Sequence, residues 1–288
     1  MDIESKKFLG QPKHFVSIFN ALLFDGQPVL KSEYLKDENS ELVMNVSSKH
    51  VDIIKRYEDG TYLDLFVIES QSYVDSSMVA RVMEYESVAR MRYIRQSFKK
   101  HVPMHTRLPM ILTVVLYVGE SKWNAAKRLS ELEIIHPGFE DMFNEFKLNL
   151  IELNTNHKYN TGEKATQDFF DLLRMIYRKQ ILKEDLDREF NRDALYFAYV
   201  VTKNKELLSI YNKSEKGDVK VCRALDEMFE ESTNRGIQMG IEQGIEQGIA
   251  LKELFVYQTM LEKGFSVKAI ASIFSVSEES IKNLLMKA

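Results

Sequence analysis

The chain has 288 residues, a formal net charge of -4, and apolar and charged fractions of 44% and 28%, which suit a globular protein with one sizeable core and an accessory region. That charge excludes a protein that coats nucleic acid through bulk positive charge, and the longest apolar run, Met110 to Val118, is about half of a bilayer span. The single cysteine, Cys222, excludes an intrachain disulfide framework and a cysteine-based zinc cluster and fits a reducing cytoplasm.

The first seven residues lack the charged-then-apolar order of a secretion signal, so a cytoplasmic protein is expected. Phe15, Ile18, Phe19, Leu22 and Leu23 recur at helical spacing and predict a helix over 12–24 that ends at Asp25-Gly26. Leu42 to Val46 reads as a strand. Val51-Asp52-Ile53-Ile54 and Leu65 to Gln71 flank the turn Glu58-Asp59-Gly60-Thr61, and Asp-Gly between two such runs predicts a hairpin. Ser76 and Ser77 are expected to cap a long helix from Met78 to about Lys100, beyond which Pro103 and Pro109 bracket a loop. Met110 to Tyr117 is apolar without alternation, as in a central strand covered on both faces. The predicted order is therefore helix, three strands, helix, strand.

Phe146 to Leu153 could add a strand, and helices are expected at about 165–182, 193–212 and 218–232. The polar loop Asn154 to Gly162 reads as a boundary. From Gly236 to Ile249 a glycine and an isoleucine recur every four residues, the pattern either of a helix that self-associates along its glycines or of a helical linker. Residues 251–288 read as three short helices, with capping Ser266 and Ser277 before the last two. They are similar to helix-turn-helix segments, although Glu278 and Glu279 suit a packing or partner-binding module better than a reader of phosphates. The expected organisation is a core over 1–155, a helical extension over 156–235, the repeat over 236–250 and a small helical module over 251–288.

The predicted hairpin carries two acids, Asp52 and Glu69, on one small sheet, which is how a protein holds a divalent metal. Gln71 lies two residues beyond Glu69 and shares its face. Arg81 and Tyr85 stand i, i+4 on the helix that follows. Between Ser76 and Arg107 seven basic residues, Arg90 and Arg92 among them, face only Glu84 and Glu86, a local net of +5. Of six histidines only His101 and His105 have metal-pair spacing, and Pro103 breaks the helix that would align them.

Asp52, then Glu69-Ser70-Gln71, then Met78, Arg81 and Tyr85, then Leu116-Tyr117-Val118-Gly119 with Trp123 beyond, resemble in order the recombination-promoting nuclease/putative transposase family. That family belongs to the PD-(D/E)xK superfamily, and the resemblance covers roughly residues 10–130. It implies an α/β, restriction-endonuclease-like core with a helical C-terminal extension, and a metal-dependent DNA endonuclease using Mg²⁺ or Mn²⁺ in recombination or transposition-like events. Asp52 and Glu69 would hold the metal, Gln71 would stand where most superfamily members have Lys, and Arg81 and Tyr85 would contact the substrate phosphate or brace the carboxylates. The acid often found near the start of the family's first helix is missing: Val16 and Phe19-Asn20 occupy that region, Asp25 at the helix end suits a turn better than the site, and Asn20 could supply an oxygen ligand or a DNA contact. The alternative expectation is a catalytically silent DNA-binding protein, or an oligomeric interaction protein, that keeps the fold.

Overall fold

A computed structural model describes residues 3–37, 53–60, 63–99, 101–181, 185–214 and 217–286. The strand expected at Leu42 to Val46, and Val51 and Asp52 of the hairpin, lie outside the described residues. Two short helices open the chain, α1 (Ile3–Leu9) and α2 (Pro12–Phe24). Pro12 suits the first turn of α2, where its missing N–H costs nothing. The helix ends with Asp25 and Gly26 at φ 50° and 78°, both N–H groups donating to the Asn20 carbonyl.

A five-stranded mixed sheet follows, in the order β1 (Leu35–Asp37), β2 (Ile53–Glu58), β3 (Leu63–Gln71), β4 (Ile111–Tyr117), β5 (Asn149–Glu152). The first three strands are antiparallel, with Ile53 opposite Ile68 in the hairpin, and β3, β4 and β5 run parallel. The parallel β3–β4 pair needs a crossover, which α3 (Met78–Ser97) supplies. This helix covers one face: Tyr85 and Ala89 pack with Ile54, Leu65, Val67 and Ile111, and Met78 and Val82 with Val115, Tyr117 and Trp123. Glu86 is buried in the same layer and accepts the Thr113 N–H of β4 at 3.0 Å.

Helix α2 covers the opposite face, its Phe19 ring 4.8 Å from that of Phe66. Beside it lies α4 (Lys164–Arg178), tied to α2 by the Ser17 hydroxyl donating to Thr166 at 2.9 Å. With both faces covered, Val114, Val115 and Leu116 are all fully buried, so β4 has no reason to alternate.

Three features differ from the sequence expectation. Ser77 sits at the N-cap of α3 but makes no cap bond; Asp75 instead accepts both its N–H and its hydroxyl, at 2.8 and 2.7 Å. The single helix expected over 193–212 is two, α5 (Arg192–Thr202) and α6 (Lys205–Lys213). Lys203 turns left-handed at φ 56°, and the Asn204 side chain caps α6 through the Glu206 N–H. Past a two-residue ribbon of β6 (Glu189–Phe190) and β7 (Val219–Lys220), the separate pieces expected between 218 and 263 form one helix, α7 (Cys222–Glu262). Its repeat glycines stay helical because no αL cap follows any of them, and Gln238 and Glu242 bond one turn apart at 3.2 Å.

The chain divides into two compact units, Met1–Leu225 and Asp226–Ala288. In the first, contacts cross the polar loop after β5: the Asn160 amide donates to the Asp25 carbonyl at 2.9 Å. In the second, α8 (Val267–Phe274) and α9 (Glu278–Met286) enclose a small core of Tyr257, Ile270, Ala271 and Ile281. Both expected serine caps are present, Ser266 to the Ala269 N–H and Ser277 to the Ser280 N–H. Along the repeat, Ile237, Ile241, Ile245 and Ile249 remain 54–57% exposed. Among the described residues no helix is long and apolar enough to cross a membrane.

The loops after β3 and β4 meet at Gly119, where a Cβ would lie 2.6 Å from the Ser72 carbonyl oxygen and 2.5 Å from the Tyr117 hydroxyl oxygen. Gly119→Ala is therefore expected to destabilise the fold by about 1–3 kcal/mol, read as a lower urea midpoint at unchanged slope.

Candidate active site at the end of the third strand

Alternation along β3 turns Leu65, Val67, Glu69 and Gln71 toward α3, and Phe66 toward α2. Glu69 therefore projects into a layer that is otherwise apolar, and it is only 2% exposed. An isolated carboxylate cannot stay ionised in such a place without partners. Two donors meet its Oε1: the Gln71 amide at 2.7 Å and the Arg81 Nη2 at 3.1 Å. Gln71, 5% exposed, thus turns its nitrogen to Glu69 and keeps its amide oxygen as an acceptor.

Arg81 comes from the first turn of α3 and is shared among three groups. Its Nε and Nη2 donate to the Tyr85 hydroxyl at 3.0 and 2.8 Å, and its Nη1 to the Asp75 carboxylate at 2.6 Å. Burial works against the charge on Arg81, but the hydrogen bonds to Tyr85 and Asp75 and the field of Glu69 outweigh it and hold the guanidinium above its usual pKa. Burial likewise opposes the charge on Asp75, yet the donors from Ser77 and Arg81 keep its carboxyl below the usual range. Desolvation pushes the Tyr85 hydroxyl up.

Of the residues singled out by sequence, Glu69, Gln71, Arg81 and Tyr85 converge here, and Asp52 lies outside the described residues. Asn20 does not join them. Its buried amide donates to the Leu30 carbonyl and accepts the Leu30 N–H, both at 2.9 Å, so the side chain anchors the loop after α2. Arg90 and Arg92 stand nine and eleven residues past Arg81, roughly 13 and 16 Å along the helix axis. At about 100° per residue Arg92 returns to the flank of Arg81, while Arg90 falls on the opposite flank beside Tyr93 and Leu108. Asp75 went unnoticed in the sequence. Its signal was an Asp two residues before a helix N-cap, a side chain placed to accept backbone and hydroxyl donors.

Among the described residues, no group of three or more His, Cys, Asp or Glu is gathered to hold a metal ion. The donors at the end of β3 are a carboxylate and an amide oxygen, the hard ligands that Mg²⁺ and Mn²⁺ take. Such ions are commonly held by one or two carboxylates, with water and substrate filling the remaining positions. Glu69 with one more acid suits that donor set.

A family model described as "Putative transposase, YhgA-like" matches residues 6–207. No curated protein and no solved structure matches the chain.

Because Arg81 neutralises a buried acid, Arg81→Met is expected to cost about 3–5 kcal/mol in urea unfolding. Adding Glu69→Gln should recover much of that loss; a loss equal to the sum of the two single changes would mean the groups are uncoupled.

Proposed function

This chain belongs to the family of YhgA-like putative transposases, and on that membership and the cluster at Glu69 we propose that it is a metal-dependent DNA endonuclease with a PD-(D/E)xK-type core. The observation that carries the reading is a buried acid, Glu69, on the strand that leads into α3, with Gln71 hydrogen-bonded to it two residues on. The element order supports it too: hairpin, crossover helix, central parallel strand. Ligand sites in open α/β sheets lie outside the carboxyl ends of the strands, and this cluster lies at that end of β3.

Glu69 and Asp52 would hold Mg²⁺ or Mn²⁺. Asp52 stands two positions before Ile54, which packs on the α3 side of the sheet as Leu65 and Val67 do. The ion, when bound, supplies positive charge to the phosphate and lowers the pKa of water. The chain's own groups do the rest. Gln71 is neutral, so its amide oxygen orients an attacking water without activating it. Arg81 and Tyr85 brace Glu69 from the helix side, and with all three of its nitrogens engaged by Tyr85, Asp75 and Glu69 the role of Arg81 is support. The exposed basic residues Arg95, Lys99 and Arg107 offer the phosphate backbone a surface toward the far end of α3.

A second reading rests on the same ion pair: Glu69 is already neutralised without a metal, as in a DNA-binding protein that no longer cuts. Supercoiled DNA separates the two. Wild-type protein should cleave it with Mg²⁺ or Mn²⁺ and not with a chelator, and Asp52→Ala and Glu69→Gln, each confirmed folded by circular dichroism, should lower the rate about 100-fold or more. Binding without cleavage would favour the second reading, and undiminished cleavage by both variants would place the chemistry elsewhere.

A further inference from the structure

The cluster at Glu69 contains one group that neither the sequence motifs nor the family match assigns, Asp75. We infer that Asp75 is a positioning residue: it holds Arg81 back from Glu69 and so keeps the Glu69 carboxylate available to a divalent cation. The inference rests on the metal reading of Glu69 given above and adds to it the control of that ligand.

Arg81 has two acids within reach and treats them unequally. It meets Asp75 at 2.6 Å through Nη1 but Glu69 at 3.1 Å through Nη2 alone. A guanidinium beside a lone carboxylate closes into a two-point fork, the geometry that matches both planar groups. Here the fork is divided, because Nη1 is taken by Asp75, and Nε and Nη2 also serve the Tyr85 hydroxyl. Asp75 cannot follow Arg81 inward, since its other oxygen is fixed by the N–H and hydroxyl of Ser77 at the start of α3. The arginine is thereby anchored to the helix terminus, and Glu69 receives from it a single, longer contact.

Charge gives the same direction. With Asp75 present, one guanidinium is shared between two carboxylates and holds Glu69 less closely than an undivided pair would. Without Asp75 the guanidinium is free to pair fully with Glu69, and any metal ion must displace it from a 2% exposed site. Groups that orient a ligand in this way typically change metal affinity 10–100-fold when altered.

The test is Mn²⁺ titration of the full chain by calorimetry, a readout independent of DNA cleavage. Asp75→Asn should weaken Mn²⁺ binding about tenfold or more. Arg81→Met added to Asp75→Asn should restore affinity at least to the wild-type level, because no guanidinium remains to close on Glu69. Asp75→Glu, which keeps the charge beside Arg81 while disturbing the short contact to Ser77, should stay within about threefold of wild type. If Asp75→Asn does not fold, Asp75→Glu still decides: affinity within about threefold of wild type supports the inference, and a loss of about tenfold overturns it. Wild-type affinity in folded Asp75→Asn overturns the inference; so does a double variant as weak as the single one, or an Asp75→Glu as weak as Asp75→Asn, since either means that Asp75 serves only the helix terminus. Glu69→Gln serves as the control. If wild type binds no Mn²⁺, or Glu69→Gln binds it equally well, the metal reading itself fails and takes this inference with it.

Discussion

A carboxylate buried at the end of an apolar layer is the constraint on which the rest of this structure depends. Glu69 lies between Val67 and Gln71 on the α3 side of the sheet, where its charge is stable only with a cation and donors at hand. That requirement fixes where α3 begins. Arg81 must reach back from the first turn of the helix, so the connection from β3 is short, and Asp75 within it ties the helix terminus and the arginine together. One turn on, Tyr85 closes the same cluster from above and packs its ring into the apolar core below, joining the polar site to the layer that supports it.

The sheet supplies rigidity on the other side. Central β4 has partners along both edges and helices on both faces, and the loops leaving β3 and β4 touch where Gly119 passes the Ser72 carbonyl. Tyr117 extends this support, its ring in the core with Trp123 and its hydroxyl donating to the Ser121 carbonyl at 2.7 Å. Below the sheet, α4 carries a second buried ionic cluster in which Arg188 bridges Asp168 and Asp171, fastening the β6 region to the helix. The family match runs through these helices to residue 207, so the layer under the sheet belongs to the shared fold as much as the site does.

Much of this was legible in the sequence, for physical reasons. The hairpin declared itself by Asp59-Gly60 between apolar runs, and Gly60 takes φ 89° as such a turn requires. The unalternating run Ile111 to Tyr117 announced a strand covered on both faces. Glu69, Gln71, Arg81 and Tyr85 were marked by the family resemblance, and spacing put each pair on one face, two apart on a strand and four apart on a helix. What escaped depended on contacts distant in the chain or on local terms that nearly balance. Asn20 looked like a free amide because its partner, Leu30, lies ten residues away in a loop without pattern. The break at Lys203 needed a non-glycine residue in the left-handed region, which propensity argues against, though Asn204 was a usable capping signal. The continuity of α7 was hidden by four glycines, each of which weakens a helix without ending it.

The central claim is that Glu69 is a cation ligand held ready by its neighbours, and the most direct measurement is a crystal of the full chain grown with Mn²⁺ and examined by anomalous scattering. The account predicts an anomalous peak at about 2.0–2.3 Å from a Glu69 carboxylate oxygen, with Arg81 still engaged by Asp75. A crystal in which Mn²⁺ binds elsewhere and no ion touches Glu69 would contradict it.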